Sequence, residues 1–257
     1  MSQLVDRTIA ALRAEHDTLA GLARTLTDEQ LALTSGAAEW TVAQVLSHLG
    51  SGAEIGRAPI ARAAGEAVEA EDNQTIWARW DASAPRAQAE GFLEHDGRWL
   101  DLVEGLTPEQ RSSLTVDLGF LPEPVPLLTA LGMRLNEVAN HSWDVRVALD
   151  PHAGVDAGSA AVLVDLLAGP LGFLLGFYAK PGELAAPASV VVPGAGLVID
   201  DAVTVVDHVE SPSATFHGPR EAFVRLLSGR LKAPHDNGVT VEGGVTLDDL
   251  RRVFPGF

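Results

Sequence analysis

The chain has 257 residues, of which 46% are hydrophobic and 21% are charged, so it can bury one large core or two ordinary ones and is not typical of disordered proteins. Its formal net charge of −17 repels phosphate groups, which argues against binding nucleic acid or an anionic membrane surface. It contains no cysteine, which excludes disulfides, cysteine-bound zinc and a cysteine nucleophile, so any thiol in its chemistry must come from a small molecule.

The first half of the chain has the apolar spacing that is typical of helices. Leucines and an isoleucine recur at helical spacing between residues 4 and 26 and predict the first helix. Thr27 begins a short capped turn, and Ser35-Gly36 then breaks the chain. We expect Thr41 to be the N-cap of the next helix and Trp40 to be a core anchor at its entry. The predicted buried positions of this helix are Val42, Val45, Leu46 and Leu49.

Two more long helices are predicted before residue 150. One runs from about residue 74 to 104, with an interruption near Ala84-Pro85. A capped turn at 106–110 follows, and the proline-rich segment 122–126 is predicted to be a linker. The last helix is predicted over about 127–149. Long helices joined by loops in this way predict an up-and-down four-helix bundle over residues 1–150.

A cluster of turn residues at 150–154 is the predicted boundary between domains of residues 1–150 and 151–257. Beyond it, a helix near 157–179 is followed by β-type runs at 188–192, 197–199, 202–208 and 214–217. Gly218-Pro219 is expected to open a helix that reaches about Leu231. A short run at 239–242 then precedes a last helix near 246–254. The pattern predicts a small α+β domain.

The apolar segment 160–179 approaches the length of a membrane span, which is about 20 residues. Asp165 lies within it and Gly169-Pro170 interrupts its middle, so a buried helix or helix pair is the favoured interpretation. The first residues, MSQLVDRTIAALRAEHDTLA, are charged and amphipathic and lack the apolar core of a signal peptide. We therefore expect a cytoplasmic protein without a membrane partner.

Three side chains of the predicted bundle have the chemistry of metal ligands. His48 lies at the edge of the apolar face of its helix, and Glu137 and His141 lie four residues apart, on one face of the last helix. Two imidazoles and a carboxylate from facing helices could hold a divalent ion and leave open positions, as catalytic zinc sites do. The same spacing is found where the histidine is a satisfied core residue and the Glu–His pair is solvated. Spacing alone therefore leaves both interpretations open.

Two segments resemble the signatures of a known family. EWTVAQVLSHLG contains His48, and NEVANHSWDVRVAL contains Glu137 and His141. They are similar, in the same order, to the two motifs of the DinB-like, mycothiol-dependent maleylpyruvate isomerase family. The resemblance covers about residues 1–150 and implies that His48, Glu137 and His141 hold a divalent metal, usually zinc. It also places Trp143 and Asp144 in the second signature.

Asp144 has two interpretations. It lies one turn from His141 and could support that ligand from behind. It could equally be a carboxylate on the helix surface that pairs with Arg146.

The second half is similar to the sterol-carrier-like domain of the same family, through ATFHGPREAFVRLLSGRLK. The resemblance implies an arginine that reaches toward the metal, and Arg230 matches it. A guanidinium suits a dicarboxylate or keto-acid substrate, whereas an arginine that complements a helix dipole is the alternative. We expect the active site to lie between the two domains. The last residues, GVTVEGGVTLDDLRRVFPGF, do not resemble the family's proline- and tryptophan-containing tail, so metal ligation carries over better than substrate identity.

The resemblance implies a metal-dependent enzyme that uses a low-molecular-weight thiol, mycothiol, for cis–trans isomerisation by thiolate addition and elimination. The substrate would be a small electrophile or a keto acid. Without elimination, the same site would form an S-conjugate, which is a transferase reaction. A metal-dependent hydrolase and a non-enzymatic small-molecule binding protein are further alternatives. The acidic composition, rich in Ala, Gly, Val and Leu, resembles that of actinobacterial proteins. The oligomeric state stays open.

Overall fold

A computed structural model describes residues 2–236 and 238–256 of the chain. Its backbone contacts divide the chain into two units, the first ending at Asp150 and the second beginning at Pro151. The first unit is helical and the second contains a β-sheet, which confirms the predicted α+β class.

The first unit is built from helices that follow one another along the chain. Helices α1, α3, α5 and α7 have 21 or 22 residues each. α1 and α3 each pack against both α5 and α7, so that the four long helices enclose one core. The helices of the described part of this unit are α1 (Ser2–Ala23), α2 (Asp28–Leu31), α3 (Val42–Ala63), α4 (Asn73–Asp81), α5 (Pro85–Gly105), α6 (Pro108–Ser113) and α7 (Leu127–Val147).

Capping threonines determine where three of these helices begin. Each accepts a hydrogen bond from the backbone of a glutamine three residues later, and the glutamine side chain bonds back to the cap. α3 therefore begins directly after Thr41, as predicted, which places His48 in its second turn. The apolar side of α3 is fully buried, as the spacing predicts. The capping threonines are Thr27, Thr41 and Thr107, and the buried α3 residues include Val42, Val45, Leu46 and Leu49.

Two connections differ in detail from the sequence prediction. The helix predicted over 74–104 is two helices, α4 and α5, and Pro85 is the first residue of α5, where its missing N–H costs nothing. The prediction that the segment 122–126 is only a linker was wrong for its last two residues, which form a strand. Two short strands, β1 (Thr115–Val116) and β2 (Val125–Pro126), pair there in antiparallel register. Pro126 is tolerated because it lies at the edge of this ribbon.

The second unit has one sheet with helices packed beside it. Five strands of the described part form this sheet in the order β5-β4-β3-β6-β7. β6 runs parallel to β3, and the other neighbours are antiparallel. The strands overlap all the predicted runs, with ends that differ by a few residues. They are β3 (Ala188–Val192), β4 (Ala195–Ile199), β5 (Val203–Val206), β6 (Ala214–His217) and β7 (Thr240–Gly243).

The apolar segment at the start of this unit is a bent helix pair. α8 (Ala157–Leu167) is followed by a turn, a short 3₁₀ helix and α9 (Leu175–Tyr178). Within the described part of the chain, no single helix is long and apolar enough to cross a membrane. The two helices pass that test only together, and they are bent by 85°.

The other α-helices in the described part of this unit are α10 (Arg220–Leu227) and α11 (Leu247–Val253), and a short 3₁₀ helix spans Pro181–Glu183. The prediction that α10 reaches about Leu231 was wrong. α10 ends at Leu227 because Gly229 adopts a φ of 71°, the left-handed conformation that closes many helices. Arg230 therefore lies in the turn after the helix, and its backbone N–H donates to the carbonyl of Arg225 at 2.7 Å.

Candidate metal centre

α3 and α7 bring together the three side chains that the sequence singled out. His48 Nε2 lies 3.1 Å from Glu137 Oε2, and His141 Nε2 lies 3.6 Å from the same oxygen. One donor atom from each residue falls within 4.8 Å of the other two. The side chains of His48 and Glu137 are 40% and 46% exposed, whereas that of His141 is 13% exposed. The cluster is therefore open to solvent on one side, where a ligand could enter.

The donor geometry fits a divalent ion. Zinc bonds to imidazole nitrogen and carboxylate oxygen are about 2.0–2.1 Å long, so neighbouring donors of a tetrahedral zinc lie roughly 3.4 Å apart. The two contacts of Glu137, 3.1 and 3.6 Å, are on either side of that value. Two histidines and one glutamate are also the donor set of several catalytic zinc sites, in which a fourth position stays open. The donor types and the two separations from Glu137 therefore fit the expected metal, and the third pair, His48 and His141, lies within 4.8 Å.

Asp144 is buried behind His141. Its side chain has no exposed surface, and its Oδ2 lies 2.8 Å from His141 Nδ1. This excludes the interpretation of Asp144 as a carboxylate on the helix surface. Because a carboxylate accepts, it favours the tautomer in which Nδ1 carries the proton, and Nε2 is then the nitrogen available as a ligand.

The electrostatics of the cluster favour a charged glutamate. The protein atoms around Glu137 displace water and favour its neutral form, but the neighbouring imidazoles of His141 and His48 outweigh this effect and hold the pKa of the carboxyl well below its usual range. Desolvation lowers the pKa of His141, but the hydrogen bond with Asp144 and the nearby carboxylate of Glu137 more than offset this, so that the pKa is raised above its ordinary value of 6.5.

Trp40 lies beside the donors and is not the core anchor that the sequence suggested. Its ring centroid is 5.1 Å from that of His48 and 5.9 Å from that of His141, and 36% of the residue is exposed. The loop before α3 holds it there, because Ser35 N–H donates to the Trp40 carbonyl at 2.9 Å. The prediction of a core anchor was wrong because the position of Trp40 at the helix entry does not indicate which side chains its ring will contact.

Gly36 lets this loop lie against α7. Its N–H donates to the Asp144 carbonyl at 2.8 Å, and a Cβ at this position would come within 2.8 Å of the Asp144 and Trp143 side chains. That separation is shorter than real Cβ contacts, so a side chain at Gly36 would push the loop and Trp40 away. The sequence pattern at Ser35-Gly36 indicates only a break between helices and does not predict this contact with α7.

Arg230, the remaining predicted site residue, lies in the second unit. Its Nη1 donates to the Ser228 carbonyl at 3.3 Å. Its role toward a substrate stays a prediction. A cavity of about 830 Å³ in the first unit, lined by residues such as Glu54, Arg57 and His95, includes none of the three donors.

The helical bundle gathers two histidines and a glutamate, with a buried aspartate behind one of the histidines, and side chains of these types could hold a metal ion. The sequence model of the mycothiol maleylpyruvate isomerase N-terminal domain matches residues 12–146, and the chain belongs to this family. All three donors lie within the matched residues.

The fold agrees with solved structures of the same kind. A crystal structure of the mycothiol-dependent maleylpyruvate isomerase and one of a mutant of that enzyme each match with a TM-score of 0.60 and 18% identity, over 94% of this chain and 94% of theirs. At 18% identity, the similarity to these two structures shows that the chain has the same fold. Comparison with curated protein sequences gave no match.

Proposed function

We propose that the protein is a metal-dependent enzyme that uses a low-molecular-weight thiol, mycothiol, to isomerise a cis double bond conjugated to a carbonyl group. The observation that carries the proposal is the convergence of His48, Glu137 and His141 within 4.8 Å, in a domain of the mycothiol maleylpyruvate isomerase family. The names of the structurally similar enzymes support maleylpyruvate as the first substrate to test.

His48, Glu137 and His141 would hold the ion, and Asp144 would keep the His141 ring in its tautomer and orientation. A bound divalent cation, zinc in our proposal, supplies Lewis acidity and lowers the pKa of a thiol close to it. The indole of Trp40 covers one side of the imidazoles, so it would limit water there and offer an apolar face to a planar conjugated substrate.

The thiol chemistry is an addition followed by an elimination. The sulfur of the thiolate forms a bond to one alkene carbon, and the electron pair of the double bond moves onto the conjugated carbonyl as an enolate. Rotation about the new carbon–carbon single bond exchanges cis for trans. The electron pair then returns, the carbon–sulfur bond breaks and the thiolate is regenerated. No cysteine of the chain can serve as this nucleophile, since the chain has none.

Arg230 would bind a carboxylate of a keto-acid substrate. A guanidinium can donate two parallel hydrogen bonds to a carboxylate, which fixes both position and orientation. In a chain with a net charge of −17, a substrate with carboxylates also needs a local cation.

The test is turnover of maleylpyruvate by the zinc-loaded full chain, with and without mycothiol. We expect isomerisation that requires mycothiol and that His141→Ala abolishes, whereas His217→Ala, which changes a half-exposed histidine of the second unit, keeps it. A stable S-conjugate in place of the trans product would identify a transferase. Turnover of an ester or amide without any thiol would identify a hydrolase, and binding without turnover would identify a binding protein. Each of these three results would contradict the isomerase proposal.

A further inference from the structure

A layer of hydrogen bonds crosses the bundle and joins its four long helices. His16 Nδ1 on α1 lies 2.6 Å from Asp96 Oδ2 on α5. The other oxygen of Asp96 accepts from Arg134 Nη2 on α7 at 2.6 Å. The same nitrogen donates to the carbonyl of Leu49 on α3 at 2.9 Å. We call His16, Asp96, Arg134 and Leu49 the cross-bundle layer.

The layer is buried and tightly packed. The side chains of His16, Asp96 and Arg134 are 8%, 3% and 10% exposed. The Arg134 guanidinium also lies over the ring of Trp99, 5.8 Å from its centroid. Gly52 leaves the room for it, since a Cβ there would lie only 3.1 Å from Arg134 Nη1. The Arg134 guanidinium thus contacts the Asp96 carboxylate, the Leu49 carbonyl and the face of the Trp99 ring at the same time.

Stability alone is a weak reason for such a layer, because desolvation of buried charges offsets most of their attraction. Buried polar groups have a better-supported use in fixing how helices align. Here the aligned helices are α3 and α7, which carry the metal-type donors. Leu49 follows His48 directly, and Arg134 precedes Glu137 by three residues.

We propose that Arg134 is a positioning residue that fixes α3 against α7 and so holds His48 at the distance from Glu137 and His141 that a divalent ion requires. The inference rests on the metal site of the proposed function. Lysine does not reproduce this arrangement, because its ammonium is a point charge without the planar guanidinium face that lies over the Trp99 ring.

The experiment measures Zn²⁺ affinity of the metal-free full chain by competition with a chromophoric chelator, and the visible spectrum of the Co²⁺-loaded chain, which reports coordination geometry. Arg134→Met and Arg134→Lys are expected to weaken Zn²⁺ binding by about tenfold or more and to change the Co²⁺ spectrum. Arg13→Met is the matched control. Arg13 donates to Glu104 twice at 2.8 Å and joins α1 to α5 without contacting a donor helix, so both readouts should stay as in the wild type.

A double variant separates positioning from stability. Asp96→Asn with Arg134→Met removes both buried charges, so its unfolding midpoint should recover relative to Arg134→Met alone, while Zn²⁺ binding stays weak. Zn²⁺ affinity that recovers with the midpoint would overturn the inference. So would a wild-type affinity and Co²⁺ spectrum in the Arg134 variants, which would leave the metal site itself intact. A wild-type chain that binds no Zn²⁺ would overturn both. If Arg134→Met does not fold, Arg134→Lys carries the comparison.

Discussion

His141 Nδ1 and Asp144 Oδ2 lie 2.8 Å apart on successive turns of α7, and the Asp144 side chain is fully buried. The pair presents the opposite nitrogen of the ring, Nε2, toward Glu137 and His48. Carboxylates in this position behind a histidine ligand fix its tautomer and make the ligand more basic. This geometry supports the proposal that Asp144 orients His141, which the sequence alone left undecided.

Asp144→Asn should therefore weaken zinc binding by about tenfold to a hundredfold, because an amide neither fixes the tautomer as strongly nor increases the basicity of the ring. Chelator competition on the metal-free chain measures the affinity. Asp81→Asn, at the exposed end of α4, is the control and should bind zinc as the wild type does. Equal affinity in Asp144→Asn and the control would show that Asp144 has no such function.

Zinc binding should change the tryptophan emission through Trp40. A proton or a metal on either imidazole alters the charge within 6 Å of the indole, and aromatic rings respond to a cation at that distance. We expect a zinc-dependent change in the wild type and in Trp77→Phe, which removes another exposed tryptophan, and its loss in Trp40→Phe. If the Trp40→Phe chain kept the full zinc-dependent change in emission, the change would arise from another tryptophan and the prediction would be wrong.

Asp96 should make stability depend on acid pH. Burial raises the pKa of Asp96, but the charges and hydrogen bonds of Arg134 and His16 outweigh it, so that the pKa lies below the ordinary value of 3.8. The unfolded chain therefore takes up this proton at a higher pH than the folded chain. The contribution of Asp96 is fully present above 3.8 and is lost as the pH falls from there through the lowered pKa.

Asp96→Asn should accordingly lower the free energy of unfolding near neutral pH by about 3–5 kcal/mol, since Arg134 loses its buried counter-charge. It should also flatten the acid end of the stability curve. Urea unfolding at a series of pH values from about 5 downward tests both points. An acid dependence as steep in the variant as in the wild type would mean that other carboxylates dominate.

Arg230→Lys should reduce kcat/KM for a keto-acid substrate by about tenfold to a hundredfold, which corresponds to one charge-assisted hydrogen bond of about 1.5–3 kcal/mol. Zinc content should not change. Arg252→Lys, at an exposed arginine of α11, is the control. Unchanged kinetics in Arg230→Ala on every thiol-dependent substrate would remove Arg230 from the site and favour an uncharged electrophile.

The sequence predicted best those features that depend on near neighbours. The Thr41 cap, the helical apolar spacing of α3 and the β-type run at 188–192 are local, and the structure has all of them. His48, Glu137 and His141 were predicted as metal ligands because two short segments resemble a known family. Their spacing alone left the metal and non-metal interpretations open. The prediction that Trp40 is a core anchor was wrong, and the packing of Gly36 was not predicted, because each of them also contacts α7, more than a hundred residues away.

The cross-bundle layer was not predicted for the same reason. Its contacts join residues 80, 38 and 85 positions apart, and no local pattern marks which buried polar side chains will meet. The end of α10 was misplaced because the left-handed conformation of Gly229 competes with the apolar spacing that continues to Leu231.

The zinc-to-protein ratio of the purified, dialysed chain tests the central claim most directly. Elemental analysis should give a ratio near one for the wild type and for His217→Ala, and a ratio near zero for His48→Ala and His141→Ala, because each of these two removes one of three protein ligands. Equal zinc in the wild type and His141→Ala would contradict the account.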